Sequence, residues 1–234
     1  MRLTWTGVVG SALYAVLGLA WVSLSHPPGP PWLDAGWIVA TAAVGAFIPG
    51  AANQVSLARA YLAAPALAYS VASRDLGLLA VAVSIASLTD LLDGTIARRF
   101  DRPSSLGAGL DPVVDGLFLG AVAMGLAVGG AFPLWLGIVV ILRYLLPAMV
   151  GALLVALKRA PELRHTVSGQ VSTTLNLVLL GGVALFRGLG QDASHLVGAA
   201  EVVIPVAAVA TFIHLAWVLR GPRPGAGVQN SPPQ

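Results

Sequence analysis

The chain has no cysteine, and only 10% of its 234 residues are charged. Without cysteine there is no disulfide framework, no thiolate metal site and no cysteine nucleophile. A soluble domain carries about 25% charged residues. A chain this poor in charge and 57% hydrophobic does not read as a soluble protein. Sustained strand alternation is also missing, which argues against a lipid-embedded barrel. No internal repeat is visible. A net charge of +3, confined to a few loops, is a poor basis for binding nucleic acid. What remains is an all-α, polytopic membrane protein with a mean hydropathy of +0.84, and its length suits one compact bundle.

Eight apolar segments are expected, at about 5–25, 36–52, 54–72, 76–97, 109–130, 133–157, 169–187 and 196–219. The second and third are poorly separated, so a short or re-entrant helix there would leave seven spans. The opening run reads as a retained membrane helix, because it is about 20 residues long and no clear small-x-small cleavage site follows. With eight spans, Arg2, Arg98, Arg99, Arg102, Lys158, Arg159, Arg164, Arg220 and Arg223 fall on one side, and only Arg74 and Arg187 on the other. Positive-inside reasoning puts both termini on the cytoplasmic side, with the bundle in the cell membrane. Trp5, Trp21, Trp32, Trp37, Trp135 and Trp217 lie near segment ends and read as lipid-contacting interfacial anchors. The tail from Gly221 to Gln234, rich in Pro, Gly, Ser and Asn, reads as disordered.

Acidic residues are scarce too, and this makes their placement informative. Four of the ten are Asp90, Asp93, Asp111 and Asp115, in or beside apolar segments. An ionised side chain at membrane depth costs several kcal/mol, roughly 2.5–3.5 on insertion scales. Four together repel one another, so they persist only where something cationic neutralises them. Asp90, Asp93, Gly94 and Ala97 follow the i, i+3, i+4, i+7 spacing of one helical face, and Arg98 stands at its edge. Gly107, Asp111 and Asp115 follow i, i+4, i+8. Two neighbouring antiparallel helices with a short basic linker would aim both faces at one point, a carboxylate cage facing the cytoplasm. All-oxygen ligation suits Mg²⁺ or Mn²⁺. Two such ions would offset four charges and could clamp a phosphate under displacement. Gly94, Ala97 and Gly107 let a ligand or backbone come close, and Arg98 is a fork donor placed for phosphate.

The run D90-x-x-D93-G94-x-x-A97-R98-x(8)-G107-x-x-x-D111-x-x-x-D115 resembles the complete signature of the CDP-alcohol phosphotransferases, with every fixed position present. The resemblance covers about residues 53–219 and implies a six-helix catalytic core. It implies transfer of a substituted phosphate from a CDP-linked donor to an alcohol, with release of CMP. It also implies two divalent ions on Asp90, Asp93, Asp111 and Asp115, with Asp115 as the catalytic base. Gly94, Ala97, Arg98 and Gly107 would line the nucleotide site, and the protein would form a homodimer.

The segment around Ser56 and Arg59, followed by Pro65, looks like the first core helix. Arg143 looks like the arginine of an Arg-Glu pair in phosphatidylglycerophosphate-synthase-like members. Here Tyr144 replaces the Glu, Gly116 replaces a Lys after the last aspartate, and Gly169, Gln170 and Thr173 replace a Gly-Lys-x-x-Thr run. Arg59 and Arg143 are buried cations that need an anion, and a phosphate on the acceptor is the simplest one. His165 and His214 read as a loop residue and a packing residue. The expected organisation is a transmembrane extension over 1–52, the catalytic core over 53–220 and the tail over 221–234. The leading reading is phosphatidyl transfer from CDP-diacylglycerol in the lipid bilayer to a small polar alcohol, glycerol 3-phosphate being the first choice. A CDP-choline/ethanolamine-type enzyme or an inositol-phosphate-type synthase is the alternative. An ion-coupled transporter, the reading from another class, predicts repeated halves and gives no reason for the fixed Gly, Ala and Arg positions.

Overall fold

The computed structural model describes residues 3–72, 75–100, 105–156 and 167–220. Within them, the side chains of residues 91, 93–100, 105–108, 151–156, 167–170 and 218–220 are outside the description. The described residues form eight helices and no strand: α1 (Trp5–Ser25), α2 (Pro31–Gly45), α3 (Ala51–Ala72), α4 (Leu76–Phe100), α5 (Ser105–Val128), α6 (Leu134–Ala156), α7 (Val167–Gly188) and α8 (Ser194–Arg220). Lipid offers no hydrogen bonds, so an apolar chain crossing it must satisfy its backbone within helices. Among the described residues, five stretches are long and apolar enough to cross a membrane: Trp5–Ser25, Ala51–Ala72, Gly109–Val128, Val171–Gly188 and Ser194–Trp217. The protein is an integral membrane helix bundle.

The helix ends carry ordinary stop and start chemistry. Thr4 caps α1, its hydroxyl accepting from the Gly7 amide at 3.1 Å. On the exposed α7–α8 connection, Asp192 caps α8 by accepting from the Ser194 amide at 3.0 Å. The Ser194 hydrogen bonds hold the Asp192 carboxyl below its usual value.

One boundary differs from expectation. The helix expected over about 36–52 starts at Pro31 and ends at Gly45. Proline is suited to the first helical turn, where its missing N–H is no loss. The helix then stops ahead of Pro49–Gly50, where Gly50 takes φ +96°. With 15 residues α2 is about 22 Å long, short of a ~30 Å hydrocarbon core.

The element at the centre of the bundle is α3. It packs most extensively on α5, then on α4, and also meets α1 and α2. Its buried residues include the small Ala60, Ala63 and Ala66, which let neighbouring backbones approach, beside the larger Leu57, Arg59, Tyr61 and Tyr69. At the α3–α5 crossing, a Cβ on Gly125 would lie 2.4 Å from Ser70 Cβ, so only glycine fits. One core joins α3 through α8, with Phe118, Leu126, Leu136 and Leu180 among its fully buried members. A smaller core of Val22, Ile38, Leu57, Tyr61 and Val114 ties α1 and α2 to α3 and α5.

Two of the six tryptophans are not simple lipid anchors. Trp21 donates to the Tyr69 hydroxyl at 3.0 Å, and Trp37 donates to the Ala60 carbonyl at 2.6 Å. Both indole N–H groups pin the first two helices to α3. Trp5, Trp32, Trp135 and Trp217 are exposed.

Candidate active site

Three helices build the site: α3 supplies a cation, and α4 and α5 supply carboxylates. Arg59 is 1% exposed, one of the largest fully buried side chains. Its Nη1 ion-pairs with Asp90 Oδ1 on α4 and with Asp115 Oδ1 on α5 at 3.0 Å. Its Nη2 lies 3.8 Å from Asp111 Oδ1. Asp90 and Asp111 keep 37% exposure, whereas Asp115 keeps 13%. The carboxylates thus form an open rim around a guanidinium set deep in the bundle.

This arrangement follows from the sequence locally. On α5, Asp111 and Asp115 are one turn apart and share a face. On α4, Asp90 stands fifteen residues into the helix. The tight α3–α5 packing then carries the long Arg59 side chain to both. Asp93, Gly94, Ala97, Arg98 and Gly107 lie on the helical backbones of α4 and α5, but their side chains lie outside the described residues.

The donor set is chemically suited to a hard divalent cation. Three carboxylates already converge on one positive group, and oxygen-only ligation is what Mg²⁺ and Mn²⁺ prefer. As placed around Arg59, no group of three acidic or histidine side chains among the described residues closes on a single ion. The guanidinium sits where the shared countercharge belongs.

Arg143 is placed apart from Arg59 and has different company. It is 4% exposed, on α6. Its Nη1 donates to the Tyr144 hydroxyl at 3.0 Å, its Nε to Thr211 Oγ1 at 3.4 Å, and its guanidinium lies 4.8 Å from the Tyr144 ring centre. Tyr144 in turn donates to Thr173 Oγ1 at 3.2 Å. Among the described residues no carboxylate lies within ion-pair distance of Arg143. Tyr144 and Thr211 are neutral, in a place where a buried cation calls for an anion. Asn176 on α7 is fully buried next to Tyr144, and its amide makes no close hydrogen bond among the described residues.

The two clusters touch. A Cβ on Gly116 would lie 2.7 Å from Tyr144 Cβ, so the tyrosine packs against bare backbone beside Asp115. Sequence reasoning picked out Arg143, Tyr144, Gly116 and Thr173 one by one but did not join them, and it missed Thr211 and Asn176. A polar residue inside an apolar helix was the available signal for both.

Comparison with known proteins agrees with this geometry. The probable cardiolipin synthase (CMP-forming) of Drosophila melanogaster is 36% identical over 92 residues, 39% of this chain and 28% of that protein. The cardiolipin synthase (CMP-forming) of Streptomyces coelicolor is 40% identical over 72 residues, 30% of this chain and 34% of the other. The probable phosphatidylglycerophosphate synthase of Mycobacterium tuberculosis is 29% identical over 122 residues, 52% of this chain and 57% of the other. The matched stretch thus spans 28% to 57% of these relatives' length. No solved structure is a significant match. The sequence profile of the CDP-alcohol phosphatidyltransferases matches residues 50–214, which run from the start of α3 into α8 and include both clusters. With carboxylates of α4 and α5 gathered at one point inside that stretch, the chain belongs to the CDP-alcohol phosphatidyltransferase family.

Proposed function

We propose that the protein transfers a phosphatidyl group from CDP-diacylglycerol to a small polar alcohol and releases CMP, a step of phospholipid biosynthesis. The observation that carries this reading is the convergence of Asp90, Asp111 and Asp115 on one buried point, in a chain of this family. The family uses divalent metal ions, CDP-alcohol donors and alcohol acceptors. In our reading Asp90, Asp93, Asp111 and Asp115 hold two ions, Mg²⁺ or Mn²⁺. Divalent ions held there would offset the charge of the donor's diphosphate and make its phosphorus more electrophilic.

The chain's own residues do the rest. Gly94, Ala97, Arg98 and Gly107 receive the nucleotide. Asp115, the least exposed of the three described carboxylates, accepts the acceptor's hydroxyl proton. The acceptor oxygen bonds to the phosphorus that carries diacylglycerol. The bond from that phosphorus to the bridging oxygen breaks, and CMP leaves with the electron pair. No covalent enzyme intermediate is needed.

Arg143 is the stronger of the two arginine candidates for an acceptor phosphate. Arg59 is already engaged with three carboxylates, whereas Arg143 is held by the neutral Tyr144 and Thr211. A phosphate-bearing acceptor such as glycerol 3-phosphate is therefore our first choice. We further read 1–52 as a membrane extension, 53–220 as the catalytic core and 221–234 as a disordered tail, with the site facing the cytoplasm and the protein a homodimer.

The test is incubation of purified protein with CDP-diacylglycerol, Mn²⁺ or Mg²⁺ and a panel of acceptors, scoring CMP release. The panel holds glycerol 3-phosphate, inositol phosphate, choline, ethanolamine and a phospholipid with a free glycerol headgroup. Acceptor-dependent CMP release supports the reading, and its absence with every acceptor refutes it.

A further inference from the structure

We propose that Asn176 is a positioning residue for the acceptor phosphate: its amide takes over the Tyr144 hydroxyl when Arg143 turns from that hydroxyl to the phosphate. This rests on the reading above in which Arg143 binds a phosphate on the acceptor.

Two buried polar groups lack the partner each calls for, and they share one neighbour. Arg143 is 4% exposed and held by the neutral oxygens of Tyr144 and Thr211. Asn176 is fully buried beside Tyr144, and neither end of its amide makes a close hydrogen bond among the described residues. Native proteins rarely keep an unpaired amide in the interior, because the desolvated group is as costly as a lost hydrogen bond. Leu177, Leu180 and Val183 are buried on the same helix, a setting in which leucine would be the stabilising choice at 176. The shared neighbour is the Tyr144 hydroxyl. It accepts from Arg143 Nη1 at 3.0 Å and donates to Thr173 Oγ1 at 3.2 Å. Thr173 and Asn176 are three residues apart on α7 and share a face, so both address that hydroxyl.

One exchange of partners serves both groups. A phosphate oxygen displaces a neutral hydroxyl from Arg143 Nη1, because a hydrogen bond between ionised groups is roughly twice as strong as a neutral one. The Tyr144 oxygen then loses its donor. The Asn176 amide carries two N–H donors, and one of them replaces the guanidinium while the hydroxyl proton stays on Thr173. The amide that is unpaired in the empty site is paired in the occupied one, and this difference adds to the affinity for the acceptor.

The exchange lies next to the chemistry. The Tyr144 ring packs on Gly116, the residue after Asp115, where an added Cβ would come within 2.7 Å of Tyr144 Cβ. The Asp115 carboxylate is close enough to act electrostatically on the Tyr144 hydroxyl. An acceptor held by Arg143 is therefore held beside the proposed base.

The experiment uses the full chain in lipid nanodiscs, with inorganic phosphate as the probe and Arg143→Ala as the blank for phosphate bound elsewhere. Phosphate Kd is read from thermal shifts, and the KM of glycerol 3-phosphate from CMP release. Asn176→Leu keeps the volume and removes the amide. Its Tm without phosphate should equal or exceed that of the wild type. Its phosphate Kd and glycerol 3-phosphate KM should rise about tenfold, or ~1.4 kcal/mol, well beyond any change in the donor's KM. Tyr144→Phe removes the hydroxyl that competes for Arg143 and should lower the phosphate Kd about threefold. Adding Asn176→Leu to Tyr144→Phe should then move the Kd by less than about twofold, since no hydroxyl is left to take over. A Tm of Asn176→Leu more than about 4 °C below wild type would make the amide structural and overturn the proposal. Equal tenfold losses in both backgrounds would overturn it too, by placing Asn176 on the ligand itself. Phosphate binding that is lost in the blank but unmoved in Asn176→Leu and Tyr144→Phe refutes the exchange alone. Phosphate binding unmoved even in the blank refutes the acceptor role of Arg143, and the exchange with it.

Discussion

Replacing Arg59 with methionine isolates the electrostatic problem at the centre of the bundle. The apolar stem is kept, and the one charge that three carboxylates share is removed. Breaking a fully buried ion pair by deleting one partner costs about 3–5 kcal/mol. Here Asp90 and Asp111 each keep 37% exposure, so water relieves part of the penalty. About 2–3 kcal/mol is the appropriate magnitude after that discount. At ~2–4 °C per kcal/mol for a chain of this size, Tm should fall by about 4–12 °C in excess EDTA. Unfolding in detergent can be followed by the fluorescence of the chain's six tryptophans. A divalent cation at 100 times its Kd stabilises by about 2.7 kcal/mol, so saturating Mg²⁺ or Mn²⁺ should restore most of the lost stability. The wild type should gain less from the metal, because Arg59 already supplies countercharge. An unchanged Tm in EDTA would refute the shared-cation reasoning. A deficit of equal size with and without metal would show that Arg59 serves packing alone.

Four further outcomes are expected. Chelation should abolish CMP release, and Mg²⁺ or Mn²⁺ should restore it; full activity in excess EDTA would sink the carboxylate cage. Asp115→Asn should lower turnover by about 10²–10⁴-fold, the range of general-base loss, with donor binding kept; near-normal turnover would remove Asp115 from the chemistry. Arg143→Ala should raise the acceptor's KM far more than the donor's, and two unmoved KM values would make Arg143 structural. Gly125→Ala should destabilise the bundle by about 1–3 kcal/mol through overpacking against Ser70, and a thermal melt identical to wild type would contradict the close α3–α5 crossing.

The sequence showed the helices well because each apolar run must close its backbone hydrogen bonds within itself. The start of α2 differs because HPPGPP reads as a loop, whereas Pro31 also suits the first position of a helix. Helical spacing put Asp111 and Asp115 on one face, and this is how α5 presents them. It did not reveal that Arg59 is their common partner. A buried arginine selects its anion by distance, and the distance depends on how closely α3 and α5 approach, a closeness that Gly125 allows against Ser70. Trp21 and Trp37 were read as lipid anchors from their positions near segment ends. Their N–H groups find oxygen atoms inside the protein instead, a long-range match that no local pattern contains.

The contact between Gly116 and Tyr144 sets how closely α5 and α6 stand at this level of the bundle. A side chain at 116 would meet the Tyr144 Cβ and Cγ, atoms that a glutamate at 144 would carry as well. The lysine and glutamate of phosphatidylglycerophosphate-synthase-like sequences therefore do not fit here by exchanging these two side chains alone, because the backbones must first move apart. Attempts to convert acceptor preference in this protein should begin from the spacing of the two helices.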